Sequence, residues 1–249
     1  MKRVMVITGV LVTFLISSLT GLGQSQSRSE KLKELQAKRA ELAALEKDFL
    51  EPNEEDRLRY AEFLSQPDTG LIRLLPREKF DTDVYKNNKL TIAMRGGGAY
   101  YSFPHKTHVY DHGSDIELDQ GQLHVGFAGA DYGMLTDLGD IPLENVGANT
   151  PAVTLFAAYK PARHEQIARQ EYRRLAQGAE LEGLPVKNRV PVKLNSTYLL
   201  RSINYSSSDV LVALKVVRID SDGSAIILWK LLKKYGKPKF TPAETVEIG

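Results

Sequence analysis

Three apolar runs near the end of the chain restrict its fold more than any other feature. Residues 197–203, 210–219 and 225–232 are rich in Val, Ile, Leu and Thr, and each has the length of a strand. They are joined by Asn204-Tyr205-Ser206-Ser207-Ser208-Asp209 and by Asp220-Ser221-Asp222-Gly223-Ser224. The Asp-Gly pair suits the positive φ of a tight hairpin turn. A C-terminal three-stranded antiparallel meander is therefore predicted. In its third strand Ile226, Ile227, Leu228, Trp229, Leu231 and Leu232 are nearly continuous, so both faces are expected to be covered.

Upstream, alternation of apolar and polar residues predicts strands over 90–94, 99–103, 107–111, 115–119 and 122–128. A loop is expected at 137–149 and a further strand at 152–159. Residues 163–177 read as a helix, with Ile167, Ala168, Tyr172, Leu175 and Ala176 on one side and Gly178 and Gly183 closing it. Gly126, Gly129 and Gly133 suggest tight backbone packing. The fold class is α+β. A helical N-terminal segment leads into a mainly antiparallel β domain, sandwich or barrel-like, with one inserted helix.

The helical segment spans 24–66. Leu32, Leu35, Leu42, Leu45 and Phe49 recur at spacings of three, four or seven within 30–49, interrupted by Arg39. Such a stripe asks for a partner, either the main domain or a second copy of the chain. Asn53 is placed to cap a second helix, with Glu54, Glu55 and Asp56 in its first turn. The β-rich domain is expected over 67–235, followed by a flexible Lys- and Pro-rich tail at 236–249.

Residues 1–23 have the pattern of an export signal: Lys2 and Arg3, an apolar stretch at 4–19, then Gly21 to Gly23 as a small-residue exit. The apolar stretch is short for a membrane span of about 20 residues. Cleavage before Gln24 is expected, with attachment to a membrane only if the signal stays uncleaved. The expected location is periplasmic or extracellular. The chain has no cysteine, which excludes disulfides, thiol catalysis and an acyl-cysteine anchor.

Without Lys2 and Arg3 the 33 basic residues fall to 31, equal to the 31 acidic ones. A neutral chain lacks the concentrated basic surface that nucleic acid requires. Acids nevertheless dominate 81–151, and bases dominate 160–239. The two stretches either attract each other or leave a basic face for anionic envelope material.

Four of the five histidines, His105, His108, His112 and His124, fall in one window, and imidazole is a common ligand for zinc and other divalent metals. An extended 107–112 would put His108, Tyr110 and His112 on one face. Asp115 or Glu117 could complete the shell, and an open position would serve a metal-bound water. Arg95, Tyr100 and Tyr101 flank a glycine run that leads into a strand rather than a helix, which argues against phosphate binding and leaves a shallow ligand groove as their role. Asp115, Glu117 and Asp119 form an acidic stripe, to be balanced by internal cations, by calcium or by solvent. Asp220-Ser221-Asp222-Gly223 resembles a calcium loop, but Leu231 stands where the distal Glu is required. No Gly-x-Ser-x-Gly occurs. The expected function is an exported, non-enzymatic binding or structural module that meets an envelope component or a second copy of itself. The alternative is a metal-dependent hydrolase built on residues 105–124.

Overall fold

The computed structural model describes residues 27–80, 96, 98–108, 110, 113–127 and 129–241. The expected export signal, the strand expected at 90–94, Arg95 and His112 lie outside the described residues. The chain divides into two compact units, 1–44 and 45–249. The described part of the first belongs to helix α1 (Arg28–Leu50), whose side chains up to residue 44 are all exposed, Leu32, Leu35 and Leu42 included. No helix among the described residues is long and apolar enough to cross a membrane.

In the second unit, Asn53 caps α2 (Glu54–Arg59) as its position suggests, its Oδ1 accepting from Asp56 N at 2.8 Å. After α3 (Ala61–Leu64) the chain enters β1 (Thr69–Leu74), a strand hidden in sequence behind Pro67-Asp68-Thr69-Gly70. Then come α4 (Arg77–Phe80), β2 (Tyr100–Tyr101), β3 (Ile116–Asp119) and β4 (Gln122–His124).

β5 (Tyr132–Gly139) takes the first residues of the stretch expected to be a loop. Residues expected as a strand at 152–159 instead form helix α5 (Pro151–Ala158). A short apolar run does not by itself distinguish a buried strand from a buried helix. Here Pro151 sits in the first turn, where its missing N–H costs nothing, and Ala152, Val153 and Phe156 share the buried face. Helix α6 (Glu165–Gln177) follows and ends at Gly178, whose φ is +93°. There are thus two helices between the middle strands and the meander, not one.

The hairpin β6 (Ala179–Leu181) and β7 (Leu184–Val186) precedes β8 (Arg189–Pro191). The meander is as predicted: β9 (Thr197–Asn204), β10 (Ser208–Ile219) and β11 (Ala225–Lys234). Gly223, with φ +88°, turns the second hairpin, and Ile226 to Trp229 are buried on both faces.

Two antiparallel sheets form a sandwich, with no closed barrel among the described residues. The larger has the order β1-β11-β10-β9-β5 and the smaller β2-β3-β4-β8. One apolar cluster lies between them and includes Tyr101, Phe103, Ile116, Leu123, Leu200, Val212 and Trp229. A second cluster covers the other face of the larger sheet, where α5 and α6 bring Phe156 and Leu175 onto Met134, Leu199, Leu211 and Leu228. Two of the glycines read as tight packing are so: a Cβ on Gly126 would meet Tyr132 Cα at 2.5 Å, and one on Gly133 would meet the Arg201 carbonyl at 2.3 Å. Gly129 has open space and only a positive φ to explain it.

The acidic and basic stretches do meet. Lys193 pairs with Asp137 at 2.9 Å and Lys215 with Asp140 at 2.6 Å. The beginning of the predicted flexible tail is tied down, since Ser206 N donates to Pro238 O, Thr241 N donates to Arg163 O and Phe240 stacks on Tyr205.

Candidate functional site: a buried carboxylate row and a cation-rimmed cleft

The smaller sheet aligns four ionisable side chains. Register pairs Tyr100 with Glu117, Glu117 with His124, and His124 with Arg189. Paired residues in adjacent strands share a face, so the four form one row across the sheet. Glu117 is buried at 1% exposure and takes hydrogen bonds from His124 Nδ1 at 2.9 Å and Arg77 Nη1 at 3.0 Å, with the Tyr100 hydroxyl as a third donor. Burial alone would raise this carboxyl, but the His124 and Tyr100 hydrogen bonds and the Arg77 charge outweigh it and hold Glu117 below the ordinary carboxylate range. The Tyr100 phenol is pushed up, first by burial and then by Glu117. Because Nδ1–H donates to the carboxylate, the Nε2 of a neutral His124 accepts from Asn188 Nδ2 at 3.4 Å. Arg189 Nη2 lies 3.3 Å from the same Nδ1, which has no lone pair to offer it while it donates to Glu117.

Of the described residues singled out in sequence, Tyr100 and His124 meet at Glu117, whereas Tyr101, His105 and His108 lie apart from them. Tyr100 and Tyr101 are both buried but lie on opposite faces, Tyr100 against Tyr110 and Phe127, Tyr101 against Phe103, His108 and Trp229. His105 is exposed, with Nδ1 3.0 Å from Ser102 Oγ. His108 donates from Nε2 to the Arg73 carbonyl at 2.9 Å, and burial lowers its pKa to about 4. His124 belongs to Glu117. Among the described residues no three His, Asp or Glu side chains are placed to hold a metal ion.

Of the acidic stripe, Glu117 is balanced by the Arg77 guanidinium. Asp115 has no cation partner among the described residues: it is fully buried, and its carboxylate accepts from Phe103 N at 2.9 Å, Asn204 Nδ2 at 3.1 Å and Ser208 Oγ at 3.3 Å. Burial pushes it up to about 7, against these hydrogen bonds and those from Ser202 and Ser102.

A second place, not singled out in sequence, is open to solvent. Arg201 lies in β9 at 1% exposure and forms a two-point pair with Asp209 of β10, Nε to Oδ1 at 2.6 Å and Nη2 to Oδ2 at 2.9 Å. Its Nη1 donates to the Phe156 carbonyl at 2.7 Å, and its guanidinium lies 3.5 Å from the centre of the Tyr235 ring. Tyr235 in turn donates to the Ala157 carbonyl. Arg201 and Tyr235 thereby satisfy carbonyls at the C-terminus of α5, where a cation is favoured. Above this floor is a cleft of about 540 Å³ rimmed by Lys160, Arg163 and Lys239. The signal was present in sequence: Arg201 is the lone charge inside the apolar run 197–203, so it needs a buried counter-charge, and Asp209 stands at the end of the turn that follows.

No protein-family model matches this chain, and no curated protein or solved structure matches it significantly.

Proposed function

We propose that this protein is an exported, non-enzymatic binding module of the cell envelope that holds an anionic group in the Arg201 cleft. The observation that carries the reading is the rim. Lys160, Arg163 and Lys239 have no carboxylate partner among the described residues, while Asp209, the carboxylate in the lining, is already neutralised by Arg201. Three cations converging on a concave surface raise the local concentration of anions.

Export is supported by the basic, apolar and small-residue pattern of residues 1–23. A role without catalysis is supported by the state of the buried carboxylates. Glu117 and Asp115 are each held by three or more hydrogen bonds within the fold, which suits a rigid scaffold.

The test is a titration of the protein with inorganic phosphate and with glucuronate, followed by amide chemical shifts. Changes confined to residues 159–163, 201 and 235–239, weakened by salt and reduced by Lys160→Glu with Lys239→Glu, are expected. Shifts scattered over the surface, or none, would overturn the reading. Fractionation of cells expressing the chain with and without residues 1–23 tests export separately.

A further inference from the structure

A second cleft, of about 490 Å³, lies along α5 and includes its C-terminal turn in the lining. Its lining is mainly apolar, with Val153, Leu211 and Leu232 alongside Ala157 and Ala158. Those two alanines also line the Arg201 cleft, so the two clefts are neighbours that share the small side chains at the end of α5 as a common wall. Lys233 lines the apolar cleft, and its Nζ lies 4.8 Å from the centre of the Tyr235 ring in the cationic one. Strand register explains the juxtaposition, because Leu211 is paired with Arg201 on one side and with Lys233 on the other.

We infer that the anion this protein takes carries an acyl chain. The ligand is a monomeric, single-chain anionic amphiphile whose head meets Lys160, Arg163 and Lys239 and whose chain lies along Val153, Leu211 and Leu232. This rests on the anion-binding reading above and extends it. An inorganic anion would satisfy the cationic rim and leave the apolar wall wet. A neutral chain would do the reverse. Each cleft has the size of a small-molecule site, about 300–1,000 Å³.

Concavity also separates a monomeric ligand from a bilayer. A membrane-docking face needs apolar side chains that project, and none of the cleft residues is among the exposed large hydrophobics. A groove instead draws a chain out of water, and each methylene that enters it gains about 0.8 kcal/mol, or roughly fourfold in affinity.

The experiment is calorimetric titration of the protein, purified after expression of the full chain, with ethyl, butyl, octyl and dodecyl phosphate below their micellar concentrations. Dissociation constants should fall by up to about fourfold for each methylene that enters the cleft. Leu232→Gln should bring the dodecyl-to-ethyl affinity ratio toward one. Equal affinity for ethyl and dodecyl phosphate would overturn the acyl-chain inference and leave the anion site standing. No binding at any length would overturn both. Dodecyltrimethylammonium binding as tightly as dodecyl phosphate would overturn the placement of the head. Co-flotation with phosphatidylglycerol vesicles, without any chain-length gain for the monomers, would assign the surface to a membrane and overturn the inference.

Discussion

Glu117 and His124 face each other across neighbouring strands, Oε2 of one 2.9 Å from Nδ1 of the other, with both side chains at 4% exposure or less. Glu117 has a folded pKa below its unfolded one. Its contribution is therefore present above the ordinary carboxylate value and lost as pH falls through the folded value. Glu117→Gln should lower stability at pH 7 by about 2 kcal/mol and shrink the loss seen on acidification below about pH 4. Urea denaturation at pH 7 and at pH 3.5 measures both. An unchanged midpoint at pH 7 would remove Glu117 from the account of the fold.

Asp115 and His108 titrate against each other. The folded pKa of Asp115 is raised to about 7, so its contribution grows as pH falls from about 7 toward the unfolded value near 4. The folded pKa of His108 is lowered to about 4, so stability is lost as pH falls from its unfolded value near 6.5. The two slopes have opposite sign over one window and each is limited to about 1.4 kcal/mol per pH unit. Between pH 4.5 and 6.5, Asp115→Asn should lose stability on acidification, and His108→Gln should gain it. Parallel slopes in the two variants would contradict these assignments.

The Arg201–Asp209 pair is buried at 1% and 3% side-chain exposure, so removing one partner strands the other charge. Arg201→Met or Asp209→Leu alone should cost roughly 3–5 kcal/mol. The double variant should recover much of that loss, since an apolar pair leaves no buried charge. Additive losses in a double-mutant cycle would show that the pair is not coupled.

Gly133→Ala would place a Cβ 2.3 Å from the Arg201 carbonyl oxygen, a backbone atom paired into the sheet. Its cost is expected to be about 3 kcal/mol. Gly70→Ala would meet the Trp229 ring at 2.6 Å, and a buried indole packed on Tyr101 and Phe103 has little room to move. Thermal melts of both variants should fall well below that of Gly147→Ala, whose Cβ would meet nothing within 4 Å and whose φ is not in the left-handed region.

The parts of the fold legible in sequence are those whose signal is local. Asn53 and its acidic followers marked the start of α2, Gly178 marked the end of α6, and Asp222-Gly223 marked a hairpin. The run at 152–159 reads as a strand because seven apolar residues among eight carry no period that separates a helix from a strand. β1 was missed because its six residues hold little strand patterning of their own. It is a strand because β11 offers an edge, with Ile72 opposite Ile227 and Leu71 opposite Leu228.

The sequence by itself determined the meander, the amphipathic helix that precedes it and the lack of any thiol chemistry. Each follows from residue type and from periodicity over about a dozen positions. Only the tertiary structure decided which charges meet. The sequence offers His124 as a metal ligand; antiparallel register places it on Glu117, and a slip of one residue would turn it to the opposite face. Arg201 and Asp209 became the floor of a cleft because α5 ends above them with carbonyls that need donors. Register and helix docking join residues far apart in the chain, so no local pattern records them.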